Sequence, residues 1–436
     1  MFLGVDLGTS GIKLVLTDDS GAIVDSASCA FEVSRPKPLW SEQNPQDWWD
    51  GFCAAMDKLH AQHDLSGIQA IGFAGQMHGA TLLDEHQQVL RPAILWNDGR
   101  CEAQCEEIEQ RVPNAREITG NIIMPGFTAP KLLWVKQHEP ELFAKIDKVL
   151  LPKDYLRLLL SGDFASDMSD AAGTMWLDVD KRCWHADMLK VCGLNESHMP
   201  ALFEGNAITG TLSDDVAKRW NMKCVPLVAG AGDNAAGAIG VGIVKPGQAM
   251  LSLGTSGVYF AVSEGFRSNP ESAVHSFCHA LPHTWHLMSV MLSAASCLQW
   301  YAEQVAKKEV SVLLTELEQA TKNETTDTQD RTQNGPLFLP YLSGERTPHN
   351  NPNATGAFFG LTHSSSQVAL THSVLEGVTF GLADGVDALH ASGVQVDEIT
   401  LIGGGAKSAY WRQLIADVLQ RPVTYRQGGD VGPGLG

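Results

Sequence analysis

Several things are missing from this sequence. Charged or polar residues interrupt every hydrophobic run before it reaches the roughly 20 residues of a bilayer-spanning helix. The opening MFLGVDLGTS lacks the basic start and small-residue cleavage site of a secretory leader and already has the pattern of a strand, so a cytoplasmic protein is expected. The nine cysteines include no CxxC pair, Cys101 and Cys105 being the closest, so the expectation is reduced, partly buried thiols rather than a zinc site. Positive charge is scarce: 31 Lys and Arg stand against 50 Asp and Glu, a formal charge of −19. Such a surface repels nucleic acid and anionic membrane, which excludes both as expected partners. A phosphorylated ligand would have to be held locally, by backbone N–H groups, helix N-termini and a divalent cation. Neither GxxxxGK[ST] nor a G-x-G-x-x-G at a first strand occurs, so ATP, if bound, is bound in another way.

What is present is the patterning of an α/β protein. A chain of 436 residues is too long for one core and predicts two domains. FLGVDL at 2–7 and IKLVLT at 12–17 are strand candidates joined by GTSG at 8–11, a β-hairpin. A helix is expected over about 45–60, with Asn44 as N-cap, Pro45 at N1 and Asp47 in the first turn. Trp48, Phe52, Ala55, Met56 and Leu59 line one of its faces. IQAIGFA at 68–74 reads as a buried strand. Near 225–260 the chain starts again: VPLVAGAGDNAAGAIGVG gives strand, Gly-rich turn and small-residue helix, and QAMLSLGTSGVYFAVSEG repeats the GTSG, at 254–257, between two apolar runs. This points to a duplicated fold, with a boundary at the turn signal Lys245-Pro246-Gly247, hence domains 1–245 and 246–436. The polar run 321–334 predicts a mobile surface loop. EITLIG, GGGAKS and AYWRQLIADVLQ over 399–419 predict strand, loop and helix. The ending VGPGLG looks like the start of another element, so a further C-terminal segment is expected.

Several polar groups stand out from these elements. A Gly-flanked Thr-Ser turn gathers N–H groups and hydroxyls suited to phosphate oxygens, although one GTSG alone is more often a plain hairpin turn. Two copies, each heading a half-chain, suggest that the halves hold one polyphosphate between them. Asp6 sits in an apolar strand beside the first turn, where it can hold Mg²⁺ or its waters; the alternative is a turn Asp bonding its own backbone. Asp233 follows a strand and precedes an Ala/Gly helix, whose small residues leave room for a substrate; a simple N-cap is the alternative. Gln76 and His78, on a Gly-bounded loop at a strand's end, can bond sugar hydroxyls while Met77 packs on a carbon face; a purely structural loop is the alternative. Three adjacent glycines in LIGGGAKS permit close approach to a base or ribose. Most of the eleven tryptophans, such as Trp48, Trp134 and Trp411, sit at helical spacing and belong to a core.

VDLGTSGIKLVLTD, the second LSLGTSG and LIGGGAKSAYW together resemble the phosphate and adenosine motifs of the FGGY carbohydrate kinases. GFTAPKLLWVKQH (126–138) and GAFFGLTHSSSQVALTHSVLEG (356–377) resemble the family's two signatures. The resemblance implies two ribonuclease-H-like domains of the actin/Hsp70-like ATPase kind with a catalytic cleft between them. It implies phosphorylation of a ketose, with ATP and Mg²⁺ as nucleotide and cofactor, and Asp233 as the base. Asp6, with Asp233, would organise the metal, and Gln76, Met77, His78, Asp233 and Asn234 would line the sugar. Gly8, Thr9, Ser10, Gly11, Gly254, Thr255, Ser256, Gly404, Gly405, Ala406 and Ser408 would contact the nucleotide. Thr371-His372-Ser373 departs from the Ala-Arg-Ala more frequent in relatives. An ATP-driven conformational protein and a degenerate sugar-binding regulator are the competing readings. The substrate-side segments 74–84 and 233–234 oppose the first, and intact Asp6 and Asp233 oppose the second. A homodimer is compatible with the sequence, which does not fix oligomeric state.

Overall fold

The computed structural model of the chain describes residues 1–322, 335–426 and 433–436. The opening hairpin forms as its alternation predicts. Strands β1 (Phe2–Leu7) and β2 (Gly11–Thr17) pair antiparallel from Phe2↔Thr17 to Leu7↔Ile12. Leu3, Val5 and Leu7 point into the core, which leaves Gly4 and Asp6 on the opposite face. Strand β3 (Ile23–Ala30) continues the meander. Helix α1 (Pro45–His60) starts where its cap dictates: the Asn44 side chain accepts from the Gln46 N–H, and Pro45 occupies the first turn. Its stripe Trp48, Phe52, Ala55, Met56 and Leu59 is buried in one apolar cluster with Leu3, Val5, Leu14 and Leu16.

Strand β4 (Ile71–Gly75) lies parallel to β1 on the side away from β2. It begins at Ile71 rather than Ile68, because Leu65–Gly67 forms a single helical turn capped by Asp64. Helices α2 (Thr128–His138) and α3 (Pro152–Ser161) precede the last strands of this sheet, β5 (Ile208–Thr211), β6 (Pro226–Val228) and β7 (Ala231–Gly232). The sheet order is β5-β6-β4-β1-β2-β3, with β7 also paired to β4. Helix α4 (Asp233–Gly240) leaves directly from β7.

The second sheet is built from β8 (Gly247–Leu253), β9 (Gly257–Ser263), β10 (His275–Cys278), β11 (Trp285–Met291), β12 (Val396–Ile402) and β13 (Val423–Tyr425). Helix α5 (Gln367–His390) crosses over before β12, and α6 (Ala409–Leu419) before β13. The order is β10-β11-β9-β8-β12-β13. The duplication is explicit here. β1 lies between its hairpin partner β2 and the parallel β4, as β8 lies between β9 and the parallel β12. A third antiparallel strand lies outside each hairpin (β3, β11), and a further parallel strand outside each crossover strand (β6, β13). Segments 80–199 of the first half pack on the second sheet through a buried apolar cluster that includes Ile118, Trp176 and Val179 with Met250, Phe260 and Phe277. Across it the Trp285 indole N–H donates to the Val179 carbonyl at 2.7 Å, and Asn121 Nδ2 to the Ser276 carbonyl at 2.9 Å.

Part of the expected loop 321–334 is helical: Thr321 and Lys322 end the helix Val310–Lys322, and 323–334 lie outside the described residues. Of the closing VGPGLG, Val431 and Gly432 also lie outside them, while Pro433–Leu435 make one helical turn. At the departure in α5, Thr371 and Ser373 are buried and bond back to the carbonyls of Gln367 and Leu370, and the His372 ring lies 3.2 Å from the Tyr410 hydroxyl. All nine cysteines are free. Among the described residues no helix is long and apolar enough to cross a membrane.

Candidate active site

The two carboxylates come from adjacent parts of the first sheet. Asp6 occupies β1, opposite Lys13 on β2 and Ala74 on β4. Asp233 is the first residue of α4, and β7, which carries it there, pairs with Ala74 and Gly75. Burial pushes both carboxyls up to about 6; Lys13 moderates the effect at Asp6, and the charge of Asp6 adds to it at Asp233. Asn234 holds the Asp233 carboxylate through its backbone N–H at 2.7 Å and its Nδ2 at 2.9 Å. Neither carboxylate is in an ion pair among the described residues. Two half-buried carboxylates, each raised by burial, fit a divalent cation, whose remaining ligands would be phosphate oxygens and water.

On the substrate side, the strand end 74–78 divides its polar groups between two tasks. Gln76 is buried and its amide is spent inside the protein. Nε2 donates to Gln43 Oε1 at 3.0 Å and to the Gly8 carbonyl at 3.4 Å, and Oε1 accepts from the Thr9 hydroxyl at 3.2 Å. These bonds fasten the first GTSG turn to β4. Gln43 and Trp96, which the sequence did not single out, complete the clamp, with Gln43 Nε2 on the Thr9 carbonyl at 2.6 Å and Trp96 Nε1 on the Thr9 hydroxyl at 2.9 Å. Ser10 remains exposed at the tip of the turn.

Met77 and His78 behave differently. Met77 packs its thioether against Gly232, just before Asp233. His78 has φ 70°, in the left-handed region. Its Nδ1 lies 2.8 Å from the Gly173 carbonyl. A carbonyl only accepts, so Nδ1 carries the proton. Burial, aided by Lys131, depresses the ring's pKa to about 3, so it is neutral and Nε2 is a bare acceptor. A Cβ on Gly173 would lie 2.4 Å from His78 Cε1 and 2.9 Å from Met77 Cε, so only glycine lets the two side chains sit there. Phe127 packs on the His78 ring edge-to-face, with centroids 5.0 Å apart. Arg346, from the segment between β11 and α5, reaches this corner. Its Nη1 is 3.3 Å from His275 Nε2, and its charge depresses the pKa of His78 a little further. Arg346 lies in PYLSGERTPHNNP (340–352), a run that resembles the family, but nothing local assigns its side chain a role at this corner.

The second GTSG and the glycine loop come together. β8 and β12 run parallel, pairing Ser252 with Ile402, so Gly254–Ser256 and Gly403–Gly405 emerge at the same sheet edge. Gly403, at φ 92°, approaches the Leu253 carbonyl so closely that a Cβ would lie 2.7 Å from it. Thr255 and Ser256 are exposed, and Gly404 has open space around it. Ala406, by contrast, is fully buried in the second core, and the Ser408 hydroxyl caps α6 by accepting from the Trp411 N–H at 3.2 Å. Of the expected nucleotide residues, Ala406 therefore offers backbone only, and the Ser408 hydroxyl is already engaged as an acceptor.

Comparison with known proteins gives the family and the fold. The N-terminal domain of the FGGY family of carbohydrate kinases matches residues 1–240, and its C-terminal domain matches residues 249–436. A xylulose kinase of Escherichia coli (strain K12) is 62% identical over 436 residues, which are 100% of this chain and 88% of that protein. A xylulose kinase of Klebsiella pneumoniae is 58% identical, with the same coverage of 100% and 88%. The crystal structure of a protein described as a xyloylose kinase from Brucella ovis superposes with a TM-score of 0.94 at 49% identity, covering 100% of this chain and 88% of the other.

Proposed function

The chain belongs to the FGGY family of carbohydrate kinases, and from that premise we propose that it transfers the γ-phosphoryl group of ATP to D-xylulose, forming D-xylulose 5-phosphate. The xylulose kinases of up to 62% identity along the whole chain favour this ketose. The observation that carries the chemistry is Asp233: a carboxylate at a helix start, raised to about 6, beside a second carboxylate and next to the Met77 packing site.

In this reading Asp233 accepts the proton of the ketose C5 hydroxyl as its oxygen attacks the γ-phosphorus in line. The O5–P bond forms, the bond from phosphorus to the β,γ-bridging oxygen breaks, and ADP leaves. A base with a pKa near 6 is ionised at neutral pH yet holds the transferred proton more firmly than an ordinary aspartate. Asp6 and Asp233 would hold Mg²⁺, which when bound offsets negative charge on the phosphate oxygens. His78 Nε2 accepts from a sugar hydroxyl and Met77 covers a carbon face. Ser10, Thr255, Ser256 and the backbone of both GTSG turns hold phosphate, and Gly404 with Gly405 admits the adenosine. Residues 1–245 thus supply the sugar and base, and residues 246–436 the nucleotide loop. The setting is xylose catabolism in the cytoplasm.

The test is a coupled ADP-release assay beside a thermal-shift screen over xylulose, ribulose, glycerol, gluconate, fuculose and rhamnulose, with and without Mg·ATP. Turnover and stabilisation greatest with xylulose are expected. Nucleotide-only stabilisation, with ATPase indifferent to sugar, would overturn the proposal.

A further inference from the structure

We propose that Lys131 is a positioning residue for the sugar. With Thr128 it fixes the backbone of His78, so that the bare Nε2 of that ring is presented to a substrate hydroxyl. The inference rests on the reading above that His78 contacts the sugar.

Four observations support it. The left-handed φ of 70° at His78 is one that a residue with a side chain rarely enters unaided, so something must hold it there. Its carbonyl receives two side-chain donors, Lys131 Nζ at 2.9 Å and Thr128 Oγ1 at 3.2 Å. Both come from the first turn of α2, three residues apart and therefore on one helix face. The same ammonium donates to the Gly126 carbonyl at 2.7 Å, which ties the His78 loop to the segment that enters α2.

The environment of Lys131 argues against a stabilising ion pair. The residue is fully buried and in ion-pair contact with no carboxylate among the described residues, and burial brings its pKa down to about 7. Asp98, the carboxylate whose charge acts on Lys131, is already engaged by Arg100 through Nε at 2.9 Å and Nη2 at 2.6 Å. A buried amine without a carboxylate costs stability. Its retained contacts are two carbonyls, one of which belongs to His78. With the backbone so held, Gly173 takes the Nδ1 proton and Phe127 closes one side of the ring, leaving Nε2 as its polar atom without a partner among the described residues.

The experiment is a double-mutant cycle of K131M and H78A in the full chain, read by steady-state kinetics with ketose and ATP varied separately. K131M should raise the KM for ketose about tenfold, the size of a lost charge-assisted hydrogen bond, and leave kcat and the KM for ATP within about twofold. In the H78A background K131M should add nothing. If K131M is insoluble, T128A replaces it in the same cycle, with a smaller shift of the same kind. An unchanged ketose KM in K131M while H78A raises it would overturn the positioning role, as would effects that multiply in the double variant. H78A without effect on the ketose would instead remove the sugar-site reading and this inference with it.

Discussion

Replacing Asp233 by Asn should make the enzyme slow and the protein more stable at once. Asn keeps the shape and the contact with Asn234 but cannot take a proton, and loss of a general base typically costs roughly 10²- to 10⁴-fold in kcat. The ketose KM should change little, since the shape of the site is kept, whereas the KM for Mg·ATP should rise, because one of the two carboxylates assigned to the cation is lost. The stability effect follows from the carboxyl's displacement from 3.8 to about 6. The folded pKa lies above the unfolded one. The group therefore contributes its full stability below pH 3.8 and loses it as pH rises through about 6, so that the ionised Asp233 opposes folding at neutral pH. About two units at ~1.4 kcal/mol each give an upper bound of ~3 kcal/mol, and partial solvation lowers this to about 1–2 kcal/mol. D233N should thus melt higher than the native protein at pH 7, by a margin that shrinks toward pH 4. In the native enzyme kcat/KM should fall below about pH 6, in two overlapping steps because Asp6 titrates alongside. A bound cation favours the charged forms, so the profile of kcat with Mg·ATP saturating should shift to lower pH. Scanning fluorimetry and pH–rate profiles check these outcomes. A D233N protein with kcat within a few-fold of native, or with a lower melting temperature at pH 7, would refute the reasoning.

D6A should weaken Mg·ATP use more than ketose binding; an Mg²⁺ dependence identical to native in initial-rate titrations would exclude a metal role for Asp6. G173A should drive a methyl against His78 Cε1, raise the ketose KM by roughly tenfold and abolish ketose-induced thermal stabilisation while keeping that by nucleotide; unchanged ketose affinity would place the sugar elsewhere. Because the sugar residues belong to the first sheet and the glycine loop to the second, closure should bring them together, with slow ATPase in the absence of sugar. Small-angle scattering should show a smaller radius of gyration with ketose and a non-hydrolysable ATP analogue, and equal radii for free and doubly liganded protein would exclude large closure.

What the sequence revealed and what it hid divide along physical lines. Both hairpins were legible because a period-two run on either side of GTSG leaves one pairing, and α1 was legible to the residue because Asn44 and Pro45 act locally. Asp6, Asp233 and the glycine loop were legible because a carboxylate in an apolar strand or three glycines in a row conflict with their local setting. The role of Gln76 was not, because its partner Gln43 lies 33 residues earlier and nothing at 76 says which way the amide turns. The roles of Lys131, Trp96 and Arg346 escaped for the same reason: each acts on a residue tens of positions away. Ala406 and Ser408 show the converse limit, since a loop's existence can be read locally while the burial of one side chain within it depends on its packing in the folded core.

The bed beneath Asp233 explains how such a carboxylate stays where chemistry needs it. The short segment 229–232 that delivers it is gripped at both ends. Arg157 Nη1 donates to the Ala229 carbonyl at 2.9 Å, and the Gly232 N–H donates to the Ser169 hydroxyl at 3.1 Å. Ser169 in turn donates to Asp167 at 2.5 Å, Asp167 pairs with Lys153 at 2.6 Å, and Lys153 pairs with Asp154 at 2.7 Å. Asp154 also receives a short hydrogen bond from Arg157, which closes the circuit. Lys153, Asp154, Arg157, Asp167 and Asp170 are fully buried, three carboxylates to two cations. Burial, with Asp167 and Asp154 nearby, pushes the Asp170 carboxyl well up despite Lys153, so the excess negative charge is relieved by a proton. Buried charge clusters rarely stabilise a fold more than apolar packing of the same volume would. What this one does, and apolar side chains could not, is satisfy a carbonyl and an N–H on either side of one turn. That fixes the backbone from which Asp233 projects, and a base misplaced by an ångström can lose about 10²-fold in rate.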